Sequence, residues 1–143
     1  MGEPTADCIF CDIAAGIAEA SVVRESERTL AFMDLHPVTR GHLLVVPRAH
    51  MPYLADIDPE TSMELFEEAR QAAAMVYASD LKPEGVNLFL ADGEVAGQEV
   101  FHAHVHVIPR YTGDGFGLKL PPGYPTTAER SALDELARVI RGG

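Results

Sequence analysis

The residues best equipped for chemistry are six histidines and two cysteines. Three of the histidines fall in the run Phe101-His102-Ala103-His104-Val105-His106-Val107-Ile108-Pro109-Arg110. In a β-strand successive side chains point to opposite faces, so His102, His104 and His106 share one face while Ala103, Val105 and Val107 share the other. Alternate residues lie roughly 6.6 Å apart along a strand, wide enough for neighbouring imidazoles to serve different centres. In a helix they would scatter around the axis. Ile108-Pro109-Arg110 supports the strand, since proline ends a ladder and follows a β-type run naturally. Cys8 and Cys11 stand at i and i+3, which puts both thiols on one face of a short helix. That spacing suits a shared metal ion and equally a redox pair.

The histidine pattern resembles the signature of the histidine triad (HIT) nucleotide-binding proteins. The likeness continues, in the family's order, through Cys8-Ile9-Phe10-Cys11, Ala31-Phe32-Met33-Asp34-Leu35, Gly41-His42-Leu43-Leu44-Val45-Val46-Pro47 and Ala96-Gly97-Gln98-Glu99-Val100-Phe101. It spans about residues 7 to 116 and is closest to zinc-containing bacterial members. The resemblance implies a structural zinc ion held by Cys8, Cys11, His50 and His102, a closed set of two sulfurs and two nitrogens. It implies that Asp34 binds the ribose hydroxyls of a nucleotide and that Ile9, Phe10, Ile13, Phe32, Leu35 and Leu44 wall the base pocket. Gly97, Gln98 and Glu99 would cradle the phosphate. Taken without the resemblance, Asp34 is an ordinary carboxylate at a strand end and the apolar six are ordinary core residues.

The chemistry implied is transfer or hydrolysis of a nucleotidyl group at the α-phosphorus of nucleoside monophosphate derivatives, either phosphoramidates or dinucleoside polyphosphates. His104 would attack through a neutral ring nitrogen to give a nucleotidyl-histidine that water opens. His106 and Gln98 would bind the phosphoryl oxygens, His106 also giving a proton to the leaving group. His42 would support His104, and no catalytic metal is required. The expected partners are a purine nucleotide or nucleoside monophosphate derivative and a second copy of the chain, since family members usually dimerise into a continuous sheet. The competing reading is a nucleotide-binding regulatory module whose turnover is incidental, which would hold nucleotide without a covalent adduct. A metal-storage protein would leave Asp34 and the base pocket unexplained. Two positions depart from the family: Ala91 stands where many members carry asparagine, and Glu99 where some carry serine. The C-terminal tail lacks the tryptophan of some nucleoside phosphoramidases, so their specificity does not transfer.

The elements that must position these groups follow from pattern. Asp7 is a candidate cap for a helix from Cys8 to Ala15, with residues 1–6 a disordered lead-in. Ser21 to Arg24 and Thr29 to Leu35 read as a hairpin, His42 to Val46 as a buried strand, and Val86 to Ala91 as a strand before the histidine run. Asp58-Pro59-Glu60 starts a helix reaching about Ser79, with Met63, Phe66, Ala69, Ala73 and Val76 as its buried face. Met63 and Met75 are most simply core filler. Thr126 and Glu129 form a capping box for a last helix striped by Leu133, Leu136, Ala137 and Ile140. These elements describe an α+β fold, a five-stranded antiparallel sheet with a central helix and N- and C-terminal helices. The 143 residues fit one domain, a motif-bearing core followed by a C-terminal loop and helix over 117–143.

Composition narrows the partners. A net charge of -11 argues against nucleic acid polymers and anionic membrane surfaces, which are held by clustered Lys and Arg. No apolar run matches a membrane span or a signal-peptide core, so a cytoplasmic protein is expected. Two cysteines exclude a disulfide framework.

Overall fold

The structure is a computed structural model that describes residues 7–142; the lead-in expected over residues 1–6 lies outside them. Its elements are α1 (Ile9–Ala14), β1 (Val22–Glu25), β2 (Thr29–Met33), β3 (Leu43–Pro47), α2 (Pro59–Ala78), β4 (Gly85–Phe89), β5 (Val105–Arg110) and α3 (Arg130–Ile140). The strands form one antiparallel sheet in the order β1-β2-β3-β5-β4. This is the α+β architecture expected. Among the described residues no helix is long and apolar enough to cross a membrane.

The period of two sorts the strands onto two faces. Ala31, Leu43, Val45 and Val107 meet Leu65, Ala69, Ala72 and Val76 of α2. Leu30, Phe32, Leu44 and Val46 point the other way, onto Cys8, Phe10 and Cys11 of the α1 segment. Because Phe32 pairs with Leu44 and Leu44 with His106, the last histidine shares the α1 face. Val105 and Val107 lie on the α2 side, so the alternation expected from sequence holds.

Helix α2 is capped by Asp58, whose side chain accepts the Thr61 N–H, with Pro59 at its first position. Its buried face differs from the one expected. Thr61, Leu65, Glu68, Ala69, Ala72 and Val76 are buried, whereas Met63 and Phe66 are 66% and 64% exposed and Met75 is also exposed. The reason is steric: the sheet offers β-branched Val45 and Val107, and the small Ala69 and Ala72 let the helix approach closely. That phase buries Glu68, which binds Arg24 of β1 through two hydrogen bonds of 2.8 and 3.3 Å. A buried carboxylate is tolerated here because it is paired.

Three boundaries also move. Strand β5 begins at Val105, so His102 and His104 sit in its extended approach rather than in the ladder. Cys8, not Asp7, caps α1. The expected Thr126–Glu129 capping box is absent: Glu129 occupies the cap position of α3 without a side-chain bond, and the Thr126 hydroxyl donates to the Gly123 carbonyl. Every residue of α3 except Ala137 is exposed, so its apolar stripe lies on no core formed by the described residues.

Candidate active site and metal centre

The two cysteines are unjoined and buried. The Cys8 sulfur accepts the Cys11 N–H at 3.4 Å, so the cap that starts α1 also turns both thiols inward. His102, fully buried ahead of β5, brings its Nδ1 to 3.3 Å from the Cys8 sulfur and 3.6 Å from that of Cys11. His50, three residues beyond β3, places Nδ1 at 3.3 Å from the Cys11 sulfur. The four donor atoms lie within 4.8 Å of one another. His102 donates its Nε2–H to the Pro47 carbonyl at 2.7 Å, which leaves the Nδ1 lone pair facing the thiols. Burial pushes its pKa down to about 4, keeping the ring neutral and able to ligate. Two cysteine sulfurs and two imidazole nitrogens, one ring anchored through its far nitrogen, fit a closed tetrahedral zinc site.

The same His102 residue orients the next histidine. Its backbone carbonyl lies 2.8 Å from Nδ1 of His104. A carbonyl only accepts, so Nδ1 carries the hydrogen and Nε2 keeps its lone pair. Phe10 packs edge-on against this ring at 5.0 Å and the His106 ring lies 4.9 Å away. Burial lowers the His104 pKa, so the ring stays neutral at neutral pH.

His106 sits in β5 between Leu44 of β3 and Phe89 of β4. Burial, reinforced by His104 and His42, pushes its pKa down to about 4, against an opposing pull from Asp34. His42 reaches it diagonally from the start of β3. Gly41, which precedes His42, has a φ of +94°, and a Cβ there would come 2.7 Å from Leu81 Cδ1. Glycine is thus required to start the strand at this point. The Val38 N–H donates to His42 Nδ1 at 3.1 Å, which puts the ring hydrogen on Nε2. That Nε2 lies 2.9 Å from His106 Nδ1 and 3.4 Å from Asp34 Oδ2. His42 therefore supports His106, whereas support of His104 was expected. Asp34, His42 and His106 also cluster within 4.8 Å, but with Nδ1 of His42 taken by an amide its Nε2 is a donor, which suits a hydrogen-bond network rather than a metal.

The loop before the triad differs most from expectation. Gln98 is buried, its Oε1 accepting the Gly93 N–H at 2.8 Å and its Nε2 donating to the carbonyls of Pro52 (2.7 Å) and Val100 (3.1 Å). Its amide pins the loop to the chain ahead of α2 instead of reaching toward His104. Gly97 ends a short turn at a φ of +103°. Glu99 is exposed and, with Asp7, Cys8, Ile9, His50, Val100 and Phe101, lines a cavity of about 340 Å³. Of the expected base-pocket residues, Phe10, Ile13, Phe32 and Leu44 gather in one apolar cluster. Ile9 stays exposed, and Leu35 is 86% exposed because β2 ends two residues earlier, at Met33. The parts that sequence reasoning missed are the Pro47 carbonyl, the Val38 amide and Phe89. The first two are backbone groups with no residue-type signal, whereas pairing of the adjacent strand with the histidine run could have pointed to Phe89.

Residues 16–113 match the HIT domain. The chain is 42% identical over 112 residues to "Protein hit" of Bacillus subtilis (strain 168), covering 78% of this chain and 77% of that protein. It superposes on the crystal structure of a HIT family protein from Bacillus anthracis with a TM-score of 0.86 at 37% identity, covering 95% and 96% of the two chains. It is also similar, with a TM-score of 0.74 at 35% identity over 93% and 97% of the chains, to a Zn-bound histidine triad family protein from Mycobacterium smegmatis.

Proposed function

Because the chain belongs to the HIT domain family, we propose that it is a nucleotidyl hydrolase or transferase acting at the α-phosphate of nucleoside monophosphate derivatives, phosphoramidates or dinucleoside polyphosphates. The observation that carries this reading is the His104 ring, neutral, packed and held by the His102 carbonyl so that Nε2 presents a lone pair. Attack by that nitrogen forms an N–P bond and expels the leaving group; water then opens the nucleotidyl-histidine. His106, with Nδ1 accepting from His42, offers its Nε2–H to a phosphoryl oxygen. Gly97 and Glu99 would border the phosphate from the loop that Gln98 holds in place. The imidazoles carry the chemistry, so no catalytic metal is called for.

A purine would lie over Phe10, Ile13, Phe32 and Leu44, with Ile9 and Leu35 closing over it from the surface. Cys8, Cys11, His50 and His102 would hold zinc, which when bound supplies a crosslink and no reaction step. Fixing His102 also fixes the carbonyl that sets the His104 tautomer. Dimerisation is favoured by the edge position of β4 and by Met63, Phe66 and Tyr77, exposed along one stripe of α2.

The test is mass spectrometry of turnover mixtures quenched in alkaline denaturant, in which the N–P bond survives. A nucleotidyl group on His104 is the expected result; nucleotide held with no adduct at any time would favour the regulatory-module reading instead. The same site predicts a preference for ribose. Asp34 Oδ1 accepts the His36 N–H at 2.8 Å, and a carboxylate has further lone pairs for both sugar hydroxyls. Hydrogen bonds to charged groups contribute about 1.5–3 kcal/mol each, so a 2′-deoxynucleotide should bind about 10- to 100-fold more weakly. Asp34→Ala should erase most of that gap in calorimetric titrations; equal affinities in the parent would remove the ribose role.

A further inference from the structure

We propose that Asp34 is also the counter-ion that lets His106 hand a proton to the leaving group, a positioning role that rests on the nucleotidyl-transfer reading and goes beyond sugar binding. Fixed donors set the position of each hydrogen along the chain Val38, His42, His106. The Val38 amide locks His42 with its hydrogen on Nε2, and that hydrogen is donated to His106 Nδ1 at 2.9 Å. A His106 that protonates a leaving amine through Nε2 must itself keep a hydrogen on Nδ1 afterwards. That hydrogen would then meet the one on His42 Nε2 head to head.

His42 cannot relieve the clash by changing tautomer, because a hydrogen on its Nδ1 would oppose the Val38 N–H. An acceptor must take the His42 hydrogen, and Asp34 Oδ2 lies 3.4 Å away from the same nitrogen. Its side chain is 17% exposed, so water competes weakly for it. A small swing of the His42 N–H from His106 to Asp34 frees His106 Nδ1, and the carboxylate charge stabilises the added proton. In keeping with this, Asp34 opposes the downward push of burial on both His42 and His106.

His106, neutral at rest, takes a solvent proton at Nδ1 as the negatively charged phosphoryl group binds. The His104 Nε2 lone pair then forms the N–P bond, the phosphoramidate P–N bond breaks with its electrons going to the amine nitrogen, and that nitrogen takes the Nε2 proton of the His106 cation. His106 is left neutral with hydrogen on Nδ1. In the second half a water oxygen attacks phosphorus, the His104–P bond returns its pair to Nε2, and the water proton passes to His106 Nε2, restoring the cation.

Asp34→Asn tests this, since an asparagine oxygen still accepts from His42 but carries no charge. The full-length protein is assayed on two adenosine 5′-phosphate derivatives, an alkylamine phosphoramidate, whose leaving group needs a proton, and a 4-nitrophenyl ester, whose leaving group does not. Because Asp34 also faces the ribose and the water step is common to both substrates, the readout is the ratio of first-turnover rates at saturating substrate. General acid catalysis contributes about 10²–10⁴-fold, so the phosphoramidate-to-ester ratio should fall about 10-fold or more, and thermal unfolding checks that the variant is folded. Asp34→Glu should recover part of that ratio. Parallel losses on the two substrates, or an effect confined to KM, would overturn the counter-ion role while leaving nucleotidyl transfer intact. A parent that forms no adduct from either compound would instead overturn the underlying reading.

Discussion

Replacing His104 with alanine is expected to lower turnover by about three orders of magnitude or more while leaving AMP affinity within about tenfold, as befits loss of a nucleophile. His104 alone among the triad combines a ring hydrogen committed to a carbonyl with a second nitrogen left free to attack. His102 spends one nitrogen on Pro47 and turns the other to the thiols, and His106 accepts from His42. Neither neighbour can substitute. Affinity should survive because Ile13, Phe32, Leu44 and Asp34 remain in place and the loss of the ring touches the apolar cluster only at the edge of Phe10. Single-turnover kinetics with calorimetric AMP titration checks both halves. Turnover by the variant within tenfold of the parent would remove His104 from the nucleophile role.

The triad and the strand sequence were legible as residue type and periodicity, and Cys8 and Cys11 stood out by their spacing, whereas adding His50 and His102 to them rested on the resemblance to the family. His102 and His104 keep one side even though the ladder starts only at Val105, since their alternation belongs to extended backbone and not to the hydrogen bonds of a sheet. What stayed hidden depends on packing partners. Met63 and Phe66 are the largest apolar residues early in α2, so periodicity assigned them to the core. The sheet instead selected the adjoining phase, where Ala69 and Ala72 fit against Val45 and Val107. Gln98 was equally ambiguous: an amide near a catalytic strand can point either way, and only the carbonyls of Pro52 and Val100 decide that it turns inward. The link from His42 to His106 required the β3–β5 register, which no single segment contains.

Purified without chelator, the protein should carry one tightly held zinc per chain, and a Cys8→Ser, Cys11→Ser double variant should lose it together with much of its thermal stability. Helix α1 has six residues, far fewer than a helix needs to persist alone in water. It stays in place through Phe10 and the two thiols set against His102 and His50. Binding energy at a closed two-cysteine, two-histidine site is folding energy, because the unfolded chain has no preformed site. A loss of about 3 kcal/mol would lower Tm by roughly 10 °C in a protein of this size. Turnover should suffer less than in His104→Ala, since the His102 Nε2–H remains on the Pro47 carbonyl and still holds the backbone that faces His104. Elemental analysis, thiol titration and thermal unfolding with and without chelator measure the three consequences. Absence of zinc from the purified parent, with both thiols freely reactive, would show that the cluster is a buried thiol–imidazole contact and that α1 is held by apolar packing alone.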